Sequence, residues 1–157
     1  MENMKRGSQP FKLLKRARDA GKQVYSRKDL LSLSGSISNP DRALARLAKE
    51  GAIEKLDRGV WLVPSQRRPQ FDVPRFWSNP DLQDPLTISA LVVKNPTMRD
   101  VTRMVLAYGT RPAELALCEL ESTLEISASV AAISRRMIDN AKRGLARPEG
   151  GLTHPEG

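Results

Sequence analysis

The sequence predicts a mainly α chain of 157 residues in two modules, the first of which adds a small β-wing to its helices. Three observations predict this. Before residue 51, apolar residues recur at helical spacing in successive short segments, then give way to two β-type runs around Asp57-Arg58-Gly59. Five prolines fall between Pro64 and Pro85, a density that excludes helix. From Leu86 the helical spacing returns and lasts to Leu145.

The elements follow in order. Ser8 caps a first helix with Pro10 in its first turn; Phe11, Leu14 and Ala17 share a face, and Gly21 ends it. Residues 22–25 read as a short extended stretch. Ser26 with Asp29 three residues later is a capping box for a second helix carrying Leu30, Leu31 and Leu33, broken at Gly35. Ser38 or Asn39 caps the third, with Pro40 near its first position, Leu44, Leu47 and Ala48 as its apolar stripe and Gly51 as its stop. Residues 52–56 and 60–63 then form a hairpin whose turn offers Gly59 for a positive φ. Helix, short strand, helix, turn, helix, hairpin is the order of a winged helix-turn-helix, here over residues 8–64.

Residues 65–85 read as a Pro-rich linker. Its aromatics Phe71, Phe76 and Trp77 either cover the second module's core or form a strap that faces a partner. Residues 86–145 read as a small bundle of four helices. Ile88, Leu91 and Val92 mark the first, stopped by Asn95-Pro96. A second capping box, Thr97 with Asp100, opens the next, which carries Val101, Met104, Val105 and Tyr108. Thr110 and Pro112 start the third, with Ala113, Ala116, Leu117, Leu120 and Leu124 on one face. Ser127 begins the last, bearing Val130, Ile133, Met137, Ala141 and Leu145. Cys118, beside Leu117, reads as an inert buried thiol. Residues 146–157, with the single His154, read as a disordered tail.

Charge separates the halves. Residues 1–70 hold 16 basic and 7 acidic residues, a surplus of +9, whereas 71–157 hold 10 and 11. A basic module joined to a near-neutral one suggests that only the first meets a polyanion. The third helix has the form that a duplex requires: core on one face, and Arg42, Arg46 and Lys49 at i, i+4 and i+7 on the other, with small Ala43 and Ala45 allowing close approach. Ser36, Ser38 and Asn39 lie at its N-terminal end, where hydroxyl and amide groups serve phosphates, and Arg58 stands at the wing tip. A solvated helix face is the competing reading of the stripe, and simple capping that of Ser38 and Asn39.

Other classes are excluded on composition. No apolar run approaches the ~20 residues of a membrane helix, and the first residues carry no apolar leader core, so a cytoplasmic chain is expected. One Cys allows no intramolecular disulfide, and one His with one Cys is too few for a structural zinc site. No phosphate loop, dinucleotide fingerprint or zinc-protease motif occurs, so no enzyme, cofactor or metal is expected.

The run Gly21-Lys22-Gln23-Val24-Tyr25-Ser26-Arg27-Lys28-Asp29-Leu30, then Arg42-Ala43-Leu44-Ala45-Arg46-Leu47-Ala48-Lys49-Glu50-Gly51-Ala52-Ile53 and Arg58-Gly59-Val60-Trp61, resembles the N-terminal winged-helix module of AbiEi-type antitoxins. Residues 95–101 with Arg103 and Tyr108-Gly109 resemble a helical module of bacterial antitoxins encoded beside nucleotidyltransferase-like toxins. The resemblance implies a regulator that binds double-stranded DNA at its own promoter and neutralises a cognate protein toxin. It places Arg42 and Arg46 on the family's recognition helix and Arg58 on its wing. Partner contact through the second module then falls to Phe71, Phe76, Trp77, Arg99 and Arg103. Two alternatives stand beside it: a stand-alone regulator whose bundle forms a homodimer, and an interaction adaptor whose winged helix binds no DNA.

Overall fold

The computed structural model describes residues 8–76 and 78–147. The described residues divide into two compact units, one made of residues 8–65 with 145–147, the other of the described residues within 66–144. The chain is mainly helical, with one small three-stranded antiparallel sheet.

In the first unit α1 (Gln9–Asp19) starts where Ser8 Oγ accepts from the Phe11 amide at 3.3 Å, with Pro10 in the first turn, where no N–H is missed. It buries Leu13, Leu14 and Ala17 and keeps Phe11 half-buried. The extended stretch becomes β1 (Val24–Ser26). Ser26 caps α2 (Arg27–Ser34), its Oγ accepting from the Asp29 amide at 3.1 Å. Asn39 rather than Ser38 caps α3 (Pro40–Lys49), Oδ1 accepting from the Arg42 amide at 3.2 Å. β2 (Glu54–Asp57) and β3 (Val60–Leu62) form the hairpin, and β3 takes the centre of the sheet, in the order β1-β3-β2. A bulge between Lys55 and Asp57 lets Leu56 turn inward. Sheet and helices close over Leu13, Leu14, Tyr25, Leu30, Leu44 and Leu47, each worth about 1.5–3 kcal/mol of burial. The Tyr25 hydroxyl donates to the Ala17 carbonyl at 2.6 Å, so its burial leaves no polar atom unmatched.

The second unit holds α4 (Pro85–Lys94), α5 (Met98–Tyr108), α6 (Arg111–Ser122) and most of α7 (Ala128–Ala146). Asp84, Thr97 and Ser127 accept from the amides of Thr87, Asp100 and Val130 at the starts of α4, α5 and α7. Ile88, Val92, Val101, Met104, Val105 and Leu117 are wholly buried. Among the described residues no helix is long and apolar enough to cross a membrane.

Several expectations give way. The buried seam of α7 is Ala131, Ser134, Ile138, Ala141 and Leu145, not a face built on Val130, Ile133 and Met137; Ile133 is 43% exposed. Ser134 donates its hydroxyl to the Val93 carbonyl at 2.7 Å, which makes a buried serine acceptable. Cys118 is exposed, because α6 buries Ala113, Ala116, Leu117 and Leu120 and the next residue lies 100° round the helix. Leu124 is 87% exposed, beyond the end of α6 and at φ 59°. Ala43 is buried in the core and so does not lie on the outer face of α3, where small size would let a duplex approach. Of the expected tail, Ala146 ends α7 and Arg147 follows it; residues 148–157, His154 among them, lie outside the described residues, as does Trp77.

Asp100 is more than a capping residue. It is wholly buried, and its carboxylate accepts from the amides of Asp72 (2.7 Å) and Val73 (3.2 Å) and from the Arg75 guanidinium (2.8 and 3.3 Å). Arg75 is also buried and spends its remaining donors on the carbonyls of Leu91 and Asn95, both at 2.9 Å. Residues 66–76, the start of the expected linker, are therefore fastened across α4 and α5 within the second unit.

Burial pushes the Asp100 carboxyl up, but the two amides and the guanidinium outweigh it and hold it below the ordinary range. Its stabilisation is then full above the unfolded value of about 3.9 and lost as pH falls through the lower folded one. We expect Asp100→Asn to cost about 3–5 kcal/mol in urea unfolding at pH 7, as breaking a buried pair does. The gap between wild type and variant should narrow below about pH 4. A gap that is constant from pH 7 to pH 2 would show that ionisation of Asp100 plays no part.

Candidate nucleic-acid interface

The surface singled out by the sequence is built on α3. Its buried face is Ala43, Leu44 and Leu47; Arg42, Ala45, Arg46 and Lys49 are all exposed on the other side. Arg58 is exposed in the β2–β3 turn, where its amide donates to Asp57 Oδ1 at 2.7 Å and Gly59 takes φ 72°. Ser36, Ser38 and Asn39 are exposed between α2 and α3. All seven residues expected at a duplex thus lie on the surface of one unit.

The route into α3 is fixed residue by residue. Gly35 ends α2 at φ 52°. Ile37 drops into the core and its amide donates to the Ser34 carbonyl at 2.9 Å. Asn39 adopts the left-handed region at φ 61°, ψ 63°, which Asn tolerates better than other non-glycine residues, and turns its side chain back onto the first turn of α3.

Two side chains that the sequence left unremarked hold this route. Arg16, on α1, donates to the carbonyls of Leu33 (3.2 Å) and Ser34 (2.7 Å), adding to the Ile37 amide at the end of α2. Gln9, in the first turn of α1, accepts from the Ser38 amide at 3.1 Å. Both contacts span 17 residues or more, so no helical or strand periodicity reveals them.

Some of the charges of this unit are paired; Lys12, Arg18 and Lys28 are exposed with no ion-pair partner among the described residues. Lys15 pairs with Asp19, Lys22 with Asp29, and Arg27 with Asp41 through two bonds of 3.1 and 2.7 Å. Pairing with Arg27 neutralises the acid in the first turn of α3. The Lys22 ammonium holds the Asp29 carboxyl below its usual value. Among the described residues the side chains of Arg42, Arg46, Lys49 and Arg58 have no ion-pair partner, so the free positive charge of this unit includes the outer face of α3 and the hairpin turn. A groove of about 300 Å³ runs between α1 and α3, lined by Gln9, Pro10, Ser38, Asn39, Arg42 and Arg46 with Ala43 beneath.

The residues expected to meet a partner lie in the second unit. Phe71 and Phe76 are half-buried with ring centroids 5.9 Å apart; Arg75 lies over the first and Arg68 over the second, at 5.7 and 4.3 Å. They line a shallow groove of about 390 Å³ with Pro69 and Pro74. Arg103 donates to Asp72 (2.8 Å) and the Gln70 carbonyl (3.1 Å), so it fastens the 66–76 segment. Arg99 sits 3.4 Å from Asp72 with its side chain 74% exposed. Among the described residues no cluster of His, Cys, Asp or Glu has the composition of a metal site.

The chain matches no protein-family model, no curated protein and no solved structure at a significant level.

The cap at Asn39 gives a direct test of this geometry. Asn39→Ala loses the bond to the Arg42 amide and keeps a Cβ at a positive φ, for about 2 kcal/mol in all. Asn39→Gly loses the same bond without the strain and should cost less than about half as much. Equal losses in urea unfolding of the full chain would mean that the left-handed turn is not retained.

Proposed function

We propose that the chain is a DNA-binding regulator of the antitoxin kind. The first unit acts as a winged helix-turn-helix, α3 as its recognition helix and the β2–β3 turn as its wing; the second unit binds a protein partner. One observation carries the first half of this reading. Arg42, Arg46 and Lys49 stand exposed on the face of α3 opposite its buried Ala43, Leu44 and Leu47, with Arg58 exposed in the hairpin turn, and none of the four has an ion-pair partner among the described residues. Exposed guanidinium groups on a helix that presents its outer face to solvent suit phosphates and base edges of double-stranded DNA. The element order α1-β1-α2-α3-β2-β3, with the sheet order β1-β3-β2, agrees with it.

The antitoxin half rests on the resemblance of residues 21–61 and 95–109 to antitoxin modules. The second unit's own core and its Phe71–Phe76 groove are consistent with a partner role, since aromatics and arginines are favoured anchors at protein interfaces.

Gel shift and salt titration on the promoter of the chain's own operon test the DNA half. Arg42→Ala and Arg46→Ala should each weaken binding by about 1–3 kcal/mol if they meet bases, or lower the salt slope by about one if they meet phosphate. Unchanged affinity and slope in the double variant would remove α3 from the interface.

Neutralisation is tested in the full chain. Co-expressed with the toxin encoded beside it, the Arg42→Ala, Arg46→Ala double variant should still rescue growth and co-purify with the toxin while failing to repress the promoter. Loss of rescue in a folded double variant would place neutralisation on the first unit instead.

A further inference from the structure

The groove between α1 and α3 contains one polar side chain outside the proposed reading set, Gln9. Its contact with Ser38 settles how it is turned. The Ser38 backbone N–H can only donate, so the amide oxygen Oε1 faces it, at 3.1 Å, and the Nε2 amino group, with two donors, is the end left over. Asn39 is in the same position: its Oδ1 is taken by the Arg42 amide, which leaves its own amino group. Arg42 and Arg46 contribute guanidinium donors and no acceptor. Asp41, the acid nearest in sequence, is held in its bidentate pair with Arg27 and does not line the groove. The amide and guanidinium groups left free there are donors, two of the side chains are cationic, and no carboxylate belongs to the lining.

A concave surface of positive charge and free amide donors, whose amide oxygens are used inside the protein and whose one hydroxyl, on Ser38, can donate as well, fits a tetrahedral oxyanion. We infer that this groove is a phosphate seat, and that a backbone phosphate of the bound duplex occupies it, with Gln9 Nε2 donating beside Arg42 and Arg46. The inference rests on the duplex-binding reading above and divides its residues. Arg42 and Arg46 serve the backbone at the α1 side, which fixes the register of α3, and base contact is left to residues outside the groove. Gln9 has two functions in this arrangement: Oε1 holds the turn before α3 in place, and Nε2 meets the phosphate.

Two substitutions in the full chain separate those functions. Gln9→Glu keeps an oxygen for the Ser38 N–H, so the turn is retained, but it replaces the outward donors with a carboxylate oxygen aimed at the phosphate. Gln9→Met removes both contacts and adds no charge. The probe is a random-sequence duplex of about 25 base pairs at low salt, where binding depends on phosphates alone. We expect Gln9→Glu to bind about tenfold more weakly than wild type with an unchanged melting temperature, and Gln9→Met to lose less affinity while melting lower. Inorganic phosphate at constant ionic strength should not displace the duplex. Wild-type binding with full affinity in Gln9→Glu would overturn the phosphate seat and leave the duplex reading standing. A larger affinity loss in Gln9→Met than in Gln9→Glu would overturn it too, by showing that Gln9 acts only through the turn. Displacement by inorganic phosphate would assign the groove to the free anion instead of the duplex backbone. No binding of the duplex by wild type would remove the duplex reading itself.

Discussion

A carboxylate taken wholly out of water has to be matched from within the chain, and Asp100 imposes that requirement on the second unit. Uncompensated, a buried ion costs several kcal/mol. Here two backbone amides and a guanidinium meet it, and the guanidinium, also buried, needs acceptors of its own, which it finds in the carbonyls of Leu91 and Asn95. The demand therefore spreads from one side chain to the path of residues 72–75, the end of α4 and the start of α5. Phe71, Phe76 and Arg103 take their places as consequences of where that path runs. An apolar residue at position 100 would leave the amides of Asp72 and Val73 and the Arg75 guanidinium without that acceptor, because only a charged acceptor calls two amides and an arginine to one point.

The same rule operates on a smaller scale in the first unit. The last carbonyls of α2 have no partners within their helix, and Arg16 supplies them from α1. Its guanidinium also lies 3.3 Å from where a Cβ on Gly35 would stand, so a side chain there would press on the arginine besides resisting φ 52°. Arg16, Gly35 and the buried Ile37 join Asn39 and the Gln9–Ser38 contact in fixing the route from α2 into α3.

What the sequence made legible was the local part. Helix starts were readable because a cap and its target lie three residues apart, as at Ser8, Ser26, Thr97 and Ser127. The hairpin and the extended stretch were readable from alternation and Gly59, although pairing of that stretch as a third strand was not, since strand partners are chosen in space. Contacts between distant residues left no pattern: Arg75 to the Asp100 carboxylate, Arg16 to the Ser34 carbonyl and Gln9 to the Ser38 amide each join residues whose neighbours in sequence are unrelated. The face of α7 was misjudged because the apolar count favoured Ile133 and Met137. The fold instead buries the small residues at 131, 134 and 141 together with Ile138. Of the candidate surface, the exposed cations were legible and the groups that orient them were not.

The remaining question about that surface is whether the fold itself accounts for its charge. Arg42 and Arg46 are like charges one turn apart on α3, an arrangement that costs an isolated helix about 0.2–0.5 kcal/mol. Lys49 adds a third charge near the helix C-terminus, where the dipole favours it, but Arg42 stands in the first turn, where the dipole opposes a cation. Neither arginine has an ion-pair partner among the described residues to offset this, and neither fills the core, which Ala43, Leu44 and Leu47 occupy. Asp41, the acid in that turn, is bound to Arg27 instead of to Arg42. Stability alone would favour neutral or acidic residues at position 42. On the proposed reading, a face that is slightly unfavourable in the free protein and rich in unpaired donors would gain its compensation from an anion supplied from outside. The duplex proposed here brings phosphates at a spacing that several such donors can meet together.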